Sequence, residues 1–237
     1  MKVALCLSGY FNSLTDPSST GLDGYNHIKK NILDKVDADV FLHNWQPELT
    51  TEIINLYNPK LYVIEEQLNF SKIIRSRQLD TLPEQPRSPS TILSHFYSVQ
   101  KSFLLMQDSA IDYDIIIKAR FDLGRINRQT SGPGLGNSYP VQCINFDPTL
   151  DMTKMYVANW DYFNDGPADM WFYSGYENMI KFTNLYQKLI NDYFFLDSAY
   201  TKSSNINNIS NAIRLYKKFF IDHKLWNIMQ PLETTWE

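Results

Sequence analysis

Short apolar runs that end in polar or small residues alternate along this chain with longer stretches of helical periodicity. Lys2 to Leu7 is the first such run, a buried strand that delivers its C-terminal end into Ser8-Gly9. A loop from Asn12 to Gly24, rich in Ser, Thr, Asp, Pro and Gly, leads into a helix over Tyr25 to Val36. Ala38 to His43 makes a second strand, Leu49 to Tyr57 a helix stopped by Asn58-Pro59, and Leu61 to Ile64 a third strand. This β-α-β-α-β rhythm predicts a parallel sheet with right-handed crossovers. Phe70 to Ser90, with Pro83, Pro86 and Pro89, reads as a mobile excursion over the sheet. Leu93, Phe96, Tyr97, Phe103, Leu104 and Leu105 then predict a long helix from Thr91 to Ser109.

Ile115-Ile116-Ile117 is apolar without alternation, as strands covered on both faces are, and is expected at the centre of the sheet. Further strands are expected over Val141 to Phe146, Met155 to Val157 and Met170 to Tyr173. Helices are expected over Glu177 to Phe195 and Ile209 to Asp222, and Leu232 to Glu237 reads as a short tail. The whole of 1–237 therefore reads as one α/β domain, a Rossmann-type, mainly parallel sheet flanked by helices.

Composition narrows the function classes. With 43% hydrophobic and 20% charged residues, the chain has enough apolar material to build a core. A net charge of -4 argues against a general electrostatic grip on nucleic acid. The apolar start from Val3 to Leu7 is too short for a signal peptide, and no segment approaches the roughly 20 apolar residues of a membrane span. A cytoplasmic location is the resulting expectation. Cys6 and Cys143 form neither a disulfide framework nor a CxxC metal motif and read as small buried hydrophobes. Aromatic residues make up 14%, enough to line a sugar site, although ordinary packing accounts for most of them.

In open α/β sheets ligands sit beyond the C-terminal ends of the strands, so candidate chemistry is sought there. Ser8-Gly9 lets backbone N–H groups approach a ligand, yet it is neither a dinucleotide fingerprint nor a P-loop. Asn12 follows close behind, and His43 and Trp45 close the second strand, where packing is their simpler role. Lys118-Ala119-Arg120-Phe121-Asp122 is the most specific feature. Asp122 can offer an oxygen to Mg or Mn held by a diphosphate, and Lys118 and Arg120 can balance phosphate charge; a structural ion pair is the simpler alternative. Asp169, and after it Asp165, is the candidate general base for an acceptor hydroxyl, against a turn or capping role. His223 reads as a surface or core histidine before a metal ligand, and Tyr97, Ser98 and Lys101 as packing and solvent-facing positions before site lining.

Taken together, KVALCLSGYFNS, DADVFLHNW, LSHFYSVQKSFLLM and YDIIIKARFDL resemble a group of GT-A-like glycosyltransferases from microbial and viral glycan gene sets. The resemblance covers residues 1 to 125 and continues more weakly through ADMWFYSGYENMIKF. It implies a nucleotide-sugar donor cradled by Ser8, Gly9 and the Arg120–Asp122 segment, and a glycan or other hydroxyl acceptor near Asp169. RFD stands where better-known GT-A enzymes carry DxD, which leaves metal dependence open, and Tyr10 stands where a Gln is common. NINNISNAIRLY lacks the late Glu of similar sequences, so no catalytic role is carried over there. Two other classes compete: a glycoside hydrolase, which needs two carboxylates flanking the bond, and a non-catalytic carbohydrate- or nucleotide-binding module.

Overall fold

The computed structural model describes residues 1–12, 21–79, 88–124, 143–159, 166–193 and 212–232. Seven strands form one sheet: β1 (Val3–Gly9), β2 (Ala38–Asn44), β3 (Leu61–Ile64), β4 (Ile115–Arg120), β5 (Met155–Ala158), β6 (Trp171–Ser174) and β7 (Met229–Leu232), in the spatial order β3-β2-β1-β4-β6-β5-β7. β1 pairs in parallel with both β2 and β4, and β2 with β3, as the β-α-β rhythm requires. β6 runs antiparallel to β4 and β5, while β7 pairs in parallel with β5. The fold is α/β, with a mostly parallel mixed sheet between helices.

The helices divide between the two faces. α1 (Gly21–Ile28), extended by one π-helical turn over Lys29–Leu33, and α2 (Thr50–Tyr57) cover one face. Their Ile28, Ile32, Ile53 and Tyr57 pack on Val3, Leu5, Leu7, Ile115, Ile117 and Ala119. The other face carries α3 (Ser71–Ser76), α4 (Pro89–Asp108), the short helices α5 (Tyr176–Met179) and α6 (Leu185–Lys188), and α7 (Ala212–Asp222). There Phe96, Val99, Phe103, Phe182, Tyr216 and Phe220 pack on Ala4, Cys6, Phe41, Ile116 and Phe172. Each large apolar side chain so removed from water contributes about 1.5–3 kcal/mol. Ser88 caps α4 by accepting from the Thr91 N–H at 3.2 Å, and Pro89 occupies the first turn, where its missing N–H costs nothing.

This division creates a switch point. The β1-to-β2 and β2-to-β3 connections run through α1 and α2 on one face, whereas α4 carries the chain back across the other face to β4. The strand order thus reverses between β1 and β4, and a crevice beyond their C-terminal ends is where such sheets bind ligands. α1 is drawn close to this end: a Cβ on Gly24 would lie 1.9 Å from the Phe121 carbonyl oxygen, so only glycine lets the helix seat against the turn that carries Asp122.

Several elements differ from expectation. The 70–90 segment contains α3, because Ser71–Ser76 closes a helical turn with Ile73 and Ile74 against the core; residues 80–87 of the expected excursion lie outside the described residues. Residues 143–146 are not in a strand, and 141–142 are not described. The expected helix from Glu177 is broken into α5, a 3-10 stretch, α6 and a π turn ending at Tyr193. The tail begins inside β7, an edge strand that accommodates Pro231 because one side of its ladder is unpaired. Among the described residues, no helix is long and apolar enough to cross a membrane.

Candidate functional site

The period of two along a strand sets the site's composition. On the α4 side of the sheet, Ala4 and Cys6 are followed by Ser8, Phe41 by His43, and Ile116 by Lys118 and Arg120. The face is apolar at its base and polar at the C-terminal ends of three parallel strands, where Ser8 pairs in register with His43 on one side and Arg120 on the other. Because β6 enters the sheet at the end where β4 leaves it, Asp169 arrives beside Arg120; the Arg120 N–H donates to the Met170 carbonyl at 3.1 Å.

Arg120 is the hub. Its Nε donates to Asp122 Oδ1 at 2.8 Å, its Nη2 to Asp122 Oδ2 at 2.5 Å and its Nη1 to Asp169 Oδ2 at 3.1 Å. Burial works against the guanidinium's charge, but Asp122 and Asp169 outweigh it and raise its pKa. Burial likewise works against the Asp169 carboxylate, but Arg120 above all brings its pKa down to about 2. His95, on α4, places Nε2 3.0 Å from the Tyr216 hydroxyl and 3.7 Å from Asp169. Burial lowers the His95 pKa to about 3, so the approach to Asp169 is not an ion pair at neutral pH.

Lys118, expected to meet phosphate, is fully buried instead. Its Nζ donates to the Asp169 carbonyl oxygen and lies 5.0 Å from the Phe172 ring centroid and 5.5 Å from that of Tyr216. Burial lowers its pKa to about 7 despite the pull of Asp169. Lys118 therefore holds the backbone that presents Asp169.

Across the crevice, the Ser8 hydroxyl is buried without a hydrogen-bond partner among the described residues. A buried hydroxyl left unpaired costs free energy, so it is available to hydrogen-bond a ligand or water. Gly9 has φ +107°, and a Cβ placed on it would meet nothing within 4 Å: the backbone here faces open space. The Asn44 Nδ2 donates to the Gly9 carbonyl at 3.0 Å, and the Gly9 N–H donates to Ser98 Oγ at 2.9 Å. Asn12 builds the scaffold: its N–H donates to Gln46 Oε1 at 2.8 Å, and its Oδ1 accepts from the N–H of Gly21 at 2.7 Å.

An aromatic wall adjoins Gly9. Trp45 stacks on Tyr97 at 5.5 Å between centroids, and His43 meets Trp45 edge-on at 4.4 Å. His43 bridges Ser98 Oγ at 2.8 Å and Glu65 Oε1 at 3.0 Å. The Tyr97 hydroxyl donates to the same Glu65 oxygen at 3.4 Å, and the Tyr10 hydroxyl donates to Gln67 Oε1.

Of the expected site residues, Ser8, Gly9, Arg120, Asp122 and Asp169 converge on this end of the sheet, and Lys118 and Asn12 support it from behind. Asp165 lies outside the described residues. His223 is away from the crevice, its ring tilted at 45° against Phe219 with centroids 4.4 Å apart. His95, Glu65 and Tyr216 were not among the expected residues. His95 and Ser98 stand three apart on α4, the spacing that puts two polar side chains on one helix face, and this was the available signal. Asp122, the expected ligand for Mg or Mn, accepts from Arg120 on both oxygens. Among the described residues no group of three or more His, Cys, Asp or Glu side chains is gathered in one place. A scan against protein-family models and a search of curated proteins each find no match.

Proposed function

We propose that this chain is a glycosyltransferase that moves a sugar from a nucleotide-diphosphate donor to an acceptor hydroxyl. One observation carries the reading: at the point where the strand order reverses, an unpaired Ser8 hydroxyl and the Arg120 side chain stand on the same face of the sheet at paired positions of β1 and β4, with the open backbone of Gly9 next to Ser8. Exposed backbone, a hydroxyl and a fixed planar cation suit a phosphate-bearing ligand, and the neighbouring Trp45–Tyr97 stack suits a flat or C–H-rich partner.

In this reading Arg120 stabilises the charge that develops on the departing diphosphate, and Asp169 accepts the proton of the attacking hydroxyl. The two roles are linked. A carboxylate held at a pKa of about 2 by Arg120 is a weak base, and phosphates that draw the guanidinium toward themselves relieve that hold. Asp169 gains base strength only when the donor is in place, which favours transfer over idle proton abstraction.

The hydrolase alternative fares worse against the same geometry. It needs a carboxylic acid kept protonated near neutral pH, whereas Asp122 and Asp169 both sit on one guanidinium and Asp169 is driven the other way.

The deciding experiment is a thermal-shift screen of UDP-, GDP-, CMP- and dTDP-sugars, since a ligand that binds only the native state raises apparent stability. Mg and Mn arms are included, because release of Asp122 from Arg120 would free a carboxylate. A shift with a UDP-, GDP- or dTDP-sugar, lost in Arg120→Ala, supports the reading, and a shift confined to a CMP-sugar replaces the diphosphate donor with a monophosphate one. No shift with any of them removes it, and binding without transfer to any acceptor assigns the chain to the non-catalytic module class.

A further inference from the structure

The Gly9 peptide is the start of a directed chain of hydrogen bonds that runs to the protein surface. Its N–H donates to Ser98 Oγ at 2.9 Å. Ser98 has two acceptors within reach, His43 Nδ1 at 2.8 Å and the His43 carbonyl at 3.4 Å, and the shorter contact is to the ring. The other ring nitrogen, Nε2, lies 3.0 Å from Glu65 Oε1. An ionised carboxylate only accepts, so Nε2 carries the ring proton and Nδ1 is the acceptor. The Ser98 proton then points at Nδ1, and its oxygen is left to receive the Gly9 N–H. The shorter of the two Ser98 contacts thus continues the series from the Gly9 peptide through the ring to Glu65. His43 and Ser98 are fully buried, while Glu65, at the far end, is 34% exposed.

The direction matters because of where the chain ends. Gly9 has φ +107° and open space beside its α-carbon, so packing does not hold its peptide in place. Its orientation is fixed by two side-chain hydrogen bonds, Ser98 on the N–H and Asn44 on the carbonyl.

We propose that Glu65, His43 and Ser98 are positioning residues that lock the Gly9 peptide, so that the crevice between β1 and β4 is preformed for its ligand. The identity of that ligand as a nucleotide sugar rests on the function proposed above; the lock itself does not.

Amide exchange of the full chain, followed by NMR at Gly9, tests the lock without any ligand. Glu65→Ala and Ser98→Ala are expected to speed Gly9 exchange roughly tenfold relative to the other β1 amides, and Glu65→Gln, whose amide oxygen still accepts from His43, to restore it. Unchanged Gly9 exchange in both alanine variants overturns the proposal, as does an equal acceleration across all of β1, which would mean general loosening. Titration and kinetics with UDP-glucose, GDP-mannose and dTDP-glucose supply the second readout. With the donor that binds, Glu65→Ala is expected to raise the donor KM roughly tenfold with kcat and acceptor KM near wild type. A loss confined to kcat overturns the positioning role. If the wild-type protein binds none of the three, the Gly9 exchange ratio alone decides the lock, and the functional reading is decided by the wider donor screen.

Discussion

Arg120 grips Asp122 with two parallel donors, Nε on Oδ1 at 2.8 Å and Nη2 on Oδ2 at 2.5 Å, from only two residues away at the end of β4. The pairing fixes the orientation of the guanidinium and neutralises one of the two carboxylates it contacts. Arg120→Ala should therefore strand two carboxylates. Its side chain is 29% exposed, so solvent screening reduces the cost to about 1–3 kcal/mol. Asp122→Ala should cost less, and the double variant less than the sum, with a coupling of about 1 kcal/mol. Urea denaturation of the four proteins measures this; strict additivity would mean that the pair is not an energetic unit. Turnover should fall at least about a hundredfold in both single variants.

Asp169→Asn should retain the fold, because Lys118 holds the backbone carbonyl of residue 169 and not its side chain. Turnover should drop about 10²–10⁴-fold, the range expected for a lost general base. With a pKa of about 2, Asp169 stays ionised down to strongly acidic pH in the ligand-free protein. The kcat/KM profile should accordingly show no acid limb from this group above pH 4, while the donor-bound kcat profile should. Identical profiles for both parameters would argue against the linkage of donor binding to base strength.

Lys118→Met should leave stability equal or raise it by up to about 2 kcal/mol at pH 6, while lowering turnover through a loosened Asp169 backbone. Burial brings the lysine's pKa from 10.5 to about 7. Between those values the unfolded chain binds a proton that the folded protein has released, so this group makes stability rise with pH over that window. The variant should flatten the rise. Thermal denaturation from pH 6 to pH 10 in both proteins checks it, and an unchanged slope would rule out a buried titrating lysine.

Acid should destabilise the protein through its histidines before its carboxylates. Burial lowers His27 and His43 to about 4 and His95 to about 3, against 6.5 in the unfolded chain. All three contribute stability in full above pH 6.5 and lose it as pH falls toward 4, because unfolding then takes up protons. Near pH 5 the uptake approaches three protons, a slope of roughly 4 kcal/mol per pH unit. Chemical denaturation at half-unit intervals between pH 7 and pH 4 measures it. A slope below about 1 kcal/mol per pH unit would show that these rings protonate in the folded state.

The strands that meet the crevice were legible because a buried parallel strand writes itself as a continuous apolar run, and its end as the first polar residue after it. Ser8 is legible this way and Arg120 follows Lys118, the first polar residue after its run; His43 is legible only as a strand end, where packing is the simpler role. The direction of β6 was not, since Trp171–Ser174 is four residues without an arrow and its orientation depends on the path by which the chain returns. β7 was hidden for a different reason: Met229-Gln230-Pro231-Leu232 does not alternate and contains a proline, which only an edge position tolerates. His95 escaped notice because its meaning lies in Tyr216, 121 residues further on, and local pattern carries no trace of such a contact.

Ser8, His43, Lys118 and Arg120 share one parity along their strands, and the residues of opposite parity, Leu7, Leu42, Ile117 and Ala119, fill the other core. A slip of one residue in β4 would therefore carry Lys118 and Arg120 to the other face, away from the Asp169 carbonyl and the carboxylates that hold them, and turn two isoleucines toward the α4 side. The alternation acts as a proofreading device: a misregistered sheet exposes its own error during folding, because no arrangement of this strand builds the core without also building the site. Single-residue deletions inside β4 should consequently yield chains that fail to fold, and not folded proteins that merely lack activity.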